Sequence, residues 1–269
     1  DAGGKSRRSR DKGSGIGADK SLTQGRVDGK AMTYLDYTRL NKIDPKMFRA
    51  QEPFPWLNPD GLLTDEGYQR LRETLPDISL FERRFDAPRK YGQKSHDRYT
   101  LEWRTDPPVP RPWKEFIAEL EGRDYRTFWE SLLENSAFSL NYHWHYTPNG
   151  CSVSPHCDAK RKLGSHIFYF NTQDDWDPSW GGTTVILDDH WRFHSDSAPN
   201  FEDFDHVIES QALGNYSLLF TRKGNSWHGV REIHCPEGAL RKVFIVEIIH
   251  QSLASRVRYS LFGQHAAGY

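Results

Sequence analysis

Apolar positions recur at helical spacing in the first half of the chain and at the shorter spacing of strands in the second. Behind Thr64, whose hydroxyl suits a helix cap, Tyr68, Leu71 and Leu75 share one helical face. Pro112 suits a first helical turn and opens a second run carrying Phe116, Ile117 and Leu120. Asp124 stands as the cap of a third, with Tyr125, Phe128 and Leu132 on one face. The stretch from 34 to 134 therefore reads as mainly helical, with its stripes serving as core packing. After Asn135, short β-rich runs at 138–146, 164–170, 182–187, 216–220, 227–230 and 241–249 are separated by Gly, Pro, Asn and Asp. The last of these is apolar on both alternating faces, as in a central strand covered on both sides. Dense strands without intervening helices, preceded by helices, predict a mostly β fold with flanking helices (α+β), its core a sandwich or jelly roll buttressed by the N-terminal helices.

Composition narrows the picture. With 269 residues, of which 36% are hydrophobic, the chain can bury one sizeable core. Residues 1–31 carry eight basic residues against four Asp and little apolar surface, which predicts a flexible basic tail; an arm for RNA or an acidic partner is the alternative. Residues 32–269 then form a single domain: a helical part at 34–134, the β core at 135–250 and a C-terminal extension at 251–269. Lys and Arg total 36 against 37 Asp and Glu, so no broad basic field favours nucleic acid or an anionic membrane as partner. A small-molecule or peptide substrate fits better. Cys151, Cys157 and Cys235 match neither a disulfide framework nor a zinc ribbon, which fits a reducing compartment. No run of about 18 apolar residues and no apolar leader is present, so the chain reads as soluble and cytoplasmic.

Candidate chemistry begins at His156-Cys157-Asp158. In an extended segment the imidazole and carboxylate point to one side and Cys157 to the other. Alone, the pair also suits a surface turn. About 70 residues later His228 sits in the short run Asn225-Ser226-Trp227-His228-Gly229-Val230, where a half-buried core histidine is the plainer reading. Two His and one carboxylate on one face of an octahedral ion are, however, the arrangement of non-haem Fe(II) oxygenases, which leaves positions open for a cosubstrate and dioxygen. Arg241 then opens the apolar strand 13 residues after His228. An arginine there is costly to bury without an anion, and its planar fork matches a carboxylate. Lys242 falls on the opposite strand face and reads as solvent-facing.

In this order and spacing, His156-X-Asp158, His228 and Arg241 resemble the 2-oxoglutarate/Fe(II)-dependent oxygenases, in particular their prolyl-4-hydroxylase-like branch. Phe168-Tyr169-Phe170-Asn171, Asp175-Trp176-Asp177 and Trp180-Gly181-Gly182 resemble the strand, loop and Gly-Gly turn of the oxygen-sensing prolyl hydroxylases. The resemblance covers about residues 138–250. It implies a double-stranded β-helix core, with His156, Asp158 and His228 on Fe(II) and with Arg241 and Tyr169 on the 2-oxoglutarate. It implies O2-dependent hydroxylation of an unactivated C–H bond with decarboxylation to succinate, and stimulation by ascorbate. It also implies that Tyr146 lines the pocket, with Trp144 and Tyr142 on the same strand face.

The chain departs from the oxygen sensors between Asp158 and Tyr169 and in the insert 188–206, so a prolyl substrate does not carry over. Trp191 and Arg192 in that insert are candidate substrate contacts. His190, His194 and His206 suggest either a second metal site or a mobile polar loop. Three alternatives stand beside the leading reading: an oxygen-sensing protein prolyl hydroxylase, a cupin-like metalloenzyme that uses the triad without 2-oxoglutarate, and a non-catalytic binding domain that keeps the fold, against which all three metal ligands are retained. Oligomeric state has no signature in the sequence.

Overall fold

Helix starts follow the local chemistry of the chain. The computed structural model describes residues 32–104 and 106–251, so the 1–31 tail and the extension beyond 251 lie outside the described residues. Short helices α1 (Tyr37–Leu40) and α2 (Pro45–Arg49) are capped by Asp36 and Asp44. Thr64 caps α3 (Asp65–Glu73) by accepting from the Gly67 amide, and Tyr68 and Leu71 are buried beneath it. Helix α4 (Arg111–Leu120) begins one residue before Pro112 and buries Phe116, Ile117 and Leu120. Helix α5 (Arg123–Leu133) corrects the expectation for Asp124: the cap is Gly122, and Asp124 lies in the first turn, where its charge favours the helix dipole. No helix among the described residues is long and apolar enough to cross a membrane.

The strands are β1 (Trp56–Leu57), β2 (Glu82–Arg84), β3 (Arg98–Glu102), β4 (Phe138–Thr147), β5 (Val153–His156), β6 (Lys162–Tyr169), β7 (Val185–Asp188), β8 (His206–Glu209), β9 (Ser217–Thr221), β10 (His228–Val230) and β11 (Arg241–His250). They form two antiparallel sheets, ordered β1-β9-β6-β11-β4-β3-β2 and β5-β10-β7-β8. This is the expected jelly-roll sandwich with helices on one side. As its apolar run predicts, β11 is central, paired with β6 and β4.

Residue alternation gives the large sheet two different faces. On one, Trp113 of α4 packs on Trp144, Phe170 and Phe244, and Phe116 packs on Phe168 and Phe244. On the other, Ile167, Tyr169, Leu218, Phe220 and Val243 close against Ile186 of the small sheet. The helical reading of 34–134 needs one correction, because this stretch also supplies β1, β2 and β3. In β3, Arg98, Thr100 and Glu102 alternate with Tyr99 and Leu101, so the strand lacks an obvious apolar inner face.

Burial of imidazoles has a measurable consequence. His166 faces the helices, with Nδ1 3.0 Å from the Tyr125 hydroxyl and Nε2 without a hydrogen-bond partner. Burial holds its pKa well below the ordinary histidine value. The unfolded chain takes up a proton near pH 6.5 that the folded chain refuses, so stability is lost as pH falls below about 6.5, at roughly 1.4 kcal/mol per pH unit for this group. Above that window both states are neutral and the contribution is flat. Urea unfolding between pH 7.5 and 5.5 should show this loss, and His166→Phe should reduce the slope by about one proton. An equal slope in the variant contradicts the assignment.

Candidate metal centre

The small sheet brings two distant histidines together. In the antiparallel register His228 of β10 lies directly opposite His156 of β5, so the two side chains leave the sheet on the same side. Their rings are 4.4 Å apart. Asp158 follows β5 by two residues and turns its carboxylate between them, 3.9 Å from Nε2 of His156 and 3.9 Å from Nε2 of His228. One donor atom from each residue lies within 4.8 Å of the others, and among the described residues this is the group that could hold a metal ion.

The donor chemistry fits a divalent cation. Nδ1 of His156 is 2.9 Å from the Ser154 carbonyl and Nδ1 of His228 is 3.0 Å from the Ser226 carbonyl, which places the ring protons on Nδ1 and lone pairs on Nε2. Burial, reinforced by His228, lowers the His156 pKa to about 3, and burial also lowers that of His228. Burial alone would raise the Asp158 carboxyl, but Lys162 and the two imidazoles outweigh it and hold it below the usual carboxylate range. Oδ2 of Asp158 is buried without a hydrogen-bond partner. Such an orphan acceptor beside two imidazole lone pairs fits a divalent cation.

Two further residues complete the surroundings of the triad. Lys162 at the start of β6 lies 3.2 Å from Asp158 and 3.0 Å from Glu247 of β11; burial alone would lower its pKa, but the two carboxylates outweigh it and raise it. The charge of Glu247 within the apolar run that follows Lys242 in the central strand was the available sequence signal for this pair. The ring of His96 sits 4.7 Å from that of His156, with Nε2 3.1 Å from the Ser154 hydroxyl. It comes from a loop without periodicity, which offered no signal.

Arg241 heads β11 and is buried. Its Nε donates to the Gly182 carbonyl and its Nη2 to Thr184 Oγ1 at 3.2 Å, and its guanidinium carbon stands 5.6 Å from the Tyr169 ring centroid. The Tyr169 hydroxyl donates to Thr184 Oγ1 at 2.9 Å and lies 3.3 Å from Ser210 Oγ. Among the described residues no carboxylate forms an ion pair with Arg241, and burial lowers its pKa. Gly182 is required here: its φ is +89°, and a Cβ would stand 3.1 Å from Arg241 Cδ. Two residues beyond Thr184, Ile186 pairs with His228. The guanidinium and the triad thus face one interior.

Other candidates are placed differently. Tyr146 and Trp144 leave β4 on the helix-packed face: Tyr146 stacks on Phe81 and donates to the Pro76 carbonyl, and Trp144 packs on Trp113. Tyr142 shares that face, stacked on Phe244. It is His143 and His145 that face the interior, beside Ile245 and Val243 in register. Arg192 also departs from expectation, since its guanidinium is spent on the Asp189 and Asp203 carbonyls and on Asp205. Phe193 and Phe204 pack with Trp227 in a small core, whereas Trp191 stays 70% exposed. The loop is organised by buried Asp189, which accepts from the Trp191 and Phe193 amides and from Asn225. His190, His194 and His206 do not gather into a second metal group among the described residues. Lys242 lies on the opposite face from Arg241 and pairs with Asp175 at 3.1 Å.

No family model and no curated protein matches the sequence. Solved structures do match the architecture. A prolyl-4-hydroxylase of Pseudomonas putida aligns with a TM-score of 0.52 at 14% identity, covering 73% of this chain and 93% of the other. A Trichoplax adhaerens prolyl hydroxylase, in complex with a hypoxia-inducible-factor oxygen-degradation-domain peptide, gives 0.52 at 12% identity over 84% and 94%. The non-haem alpha-ketoglutarate-dependent carbocyclase of nogalamycin biosynthesis gives 0.53 at 8% identity over 86% and 96%. The fold is that of the prolyl 4-hydroxylases. At these identities the likeness establishes the double-stranded β-helix and leaves the chemistry to the site.

Proposed function

We propose that the chain is an Fe(II)- and 2-oxoglutarate-dependent dioxygenase that hydroxylates an unactivated C–H bond. The observation that carries this reading is the presence of two complementary groups in one interior: a triad with an orphan carboxylate oxygen, and a buried arginine that has no carboxylate partner among the described residues. A divalent cation would suit the first and the distal carboxylate of 2-oxoglutarate the second.

In this reading His156, Asp158 and His228 hold the iron, and Lys162 fixes the Asp158 carboxylate against rotation. When bound, iron supplies the coupled use of dioxygen: 2-oxoglutarate loses carbon dioxide and takes one oxygen atom to become succinate, and the other oxygen enters the substrate C–H bond. Arg241, Thr184 and the Tyr169 hydroxyl would receive the distal carboxylate of 2-oxoglutarate. Ile167, Ile186 and Val243 form an apolar wall that excludes water from the cosubstrate. A cupin-like metalloenzyme without 2-oxoglutarate leaves Arg241 without a role. The oxygen-sensing prolyl hydroxylase differs from the proposal only in substrate.

Succinate release from purified protein with Fe(II), ascorbate and 2-oxoglutarate tests the reading. Slow uncoupled turnover is expected, abolished by removing iron or dioxygen. Absence of succinate across small-molecule and peptide substrates, with iron demonstrably bound, counts against it.

A further inference from the structure

A second guanidinium faces the same interior. Tyr99 pairs with Tyr146 and Thr100 with His145, so the alternation of β3 puts Arg98 on the side of His145 and away from the helices. Arg98 donates from Nε to His145 Nε2 at 3.2 Å and from Nη1 to the His96 carbonyl at 2.6 Å. His96 in turn lies against the metal-binding His156. Arg98 is thus one residue removed from the metal centre and held rigidly toward it.

Among the described residues no carboxylate contacts it directly, although Glu247 and Glu102 lie near enough to act on its charge. Among the described residues Arg98 forms no ion pair, and Nη2 makes no hydrogen bond. The acid on its own strand face, Glu102, is engaged by Arg84 at 3.0 Å and by Arg104. Burial, with Arg84 and Arg89 nearby, lowers the Arg98 pKa to about 10 against the opposing pull of Glu247 and Glu102, so it stays charged at neutral pH. It remains partly exposed and reachable by a ligand. β4 lies between β3 and β11, so the backbones of Arg98 and Arg241 stand about 10 Å apart.

We propose that Arg98 binds a carboxylate of the primary substrate, which makes that substrate an organic acid, free or as an acidic peptide end. This rests on the oxygenase reading, in which Arg241 is occupied by the cosubstrate. A partly exposed cation whose Nη2 makes no hydrogen bond is matched by a carboxylate oxygen through a charge-assisted hydrogen bond. His145 and the His96 carbonyl act as positioning groups that fix the direction of Nη2.

The test uses full-length protein loaded with manganese(II) and saturating 2-oxoglutarate, so that binding is read without turnover. The probes are hydroxy acids, dicarboxylic acids, N-acetyl amino acids and tripeptides, each paired with its primary amide, and the readouts are thermal shift and calorimetry. At least one acid should bind about ten-fold or more tightly than its amide. Arg98→Gln should close that gap and Arg98→Lys should partly restore it, whereas a purely structural arginine would weaken acid and amide alike. Amides equal to acids, a gap unchanged in Arg98→Gln, or no acid bound by a protein that binds 2-oxoglutarate overturns the proposal. Failure of 2-oxoglutarate itself to bind is a separate result against the oxygenase reading, and the acid–amide gap is then read with manganese(II) alone.

Discussion

His156→Ala, Asp158→Ala and His228→Ala should each abolish Fe(II) binding and 2-oxoglutarate turnover while the protein stays folded. Each removes one of three donor groups gathered within 4.8 Å. Loss of a partner that merely orients a ligand costs 10–100-fold in metal affinity, so loss of a ligand should cost more than about 100-fold. Folding should survive because the triad contributes little to the apolar core: the two imidazoles are neutral and backbone-bonded, and removing the Asp158 carboxylate leaves Lys162 its second partner, Glu247. Anaerobic iron titration with circular dichroism separates the two effects. A variant that binds iron like the wild type removes that residue from the ligand set.

The second large effect belongs to Arg241. Arg241→Met should weaken 2-oxoglutarate by ten-fold or more, since a charge-assisted pair contributes about 1.5–3 kcal/mol. The same substitution should leave the cosubstrate-free protein as stable as wild type or more so, because it removes a buried cation that no carboxylate compensates. The two signs together separate anion binding from architecture: breaking a structural ion pair would cost about 3–5 kcal/mol of stability. Tyr169→Phe should cost less, because Thr184 still receives the guanidinium. Calorimetry for affinity and urea unfolding for stability decide the matter.

Local chemistry made much of this legible in the sequence. His-X-Asp in an extended segment, a second histidine in a short strand and an arginine opening an apolar strand are local patterns, and the structure brings the first two within contact and the third into the same interior. The long central strand was equally readable, since β11 alternates apolar residues on both faces. Pairings made by tertiary structure were harder to see. β5 and β8 are four residues each, too short for a periodic signal, and β3 alternates charges inward.

The misplaced aromatics of β4 have a clear physical cause. A jelly roll that houses a polar site reverses the usual rule along the strands that line it: Tyr142, Trp144 and Tyr146 pack under the helices, and His143 and His145 face the cavity. Two histidines alternating with three aromatics were the signal, and choosing between the faces required knowing where the helices lie. In the insert before β8 the aromatic residues suggested a gripping surface, yet Phe193 and Phe204 close over Trp227.

The central claim is that the triad and Arg241 hold one metal and one dicarboxylate together. Anaerobic calorimetry of 2-oxoglutarate binding, with and without Fe(II), tests it most directly. The account predicts tight binding with iron, binding weakened at least ten-fold after chelation, and the same weakening in Arg241→Met with iron present. Binding indifferent to both iron and Arg241, or no binding to the iron-loaded protein, would contradict it.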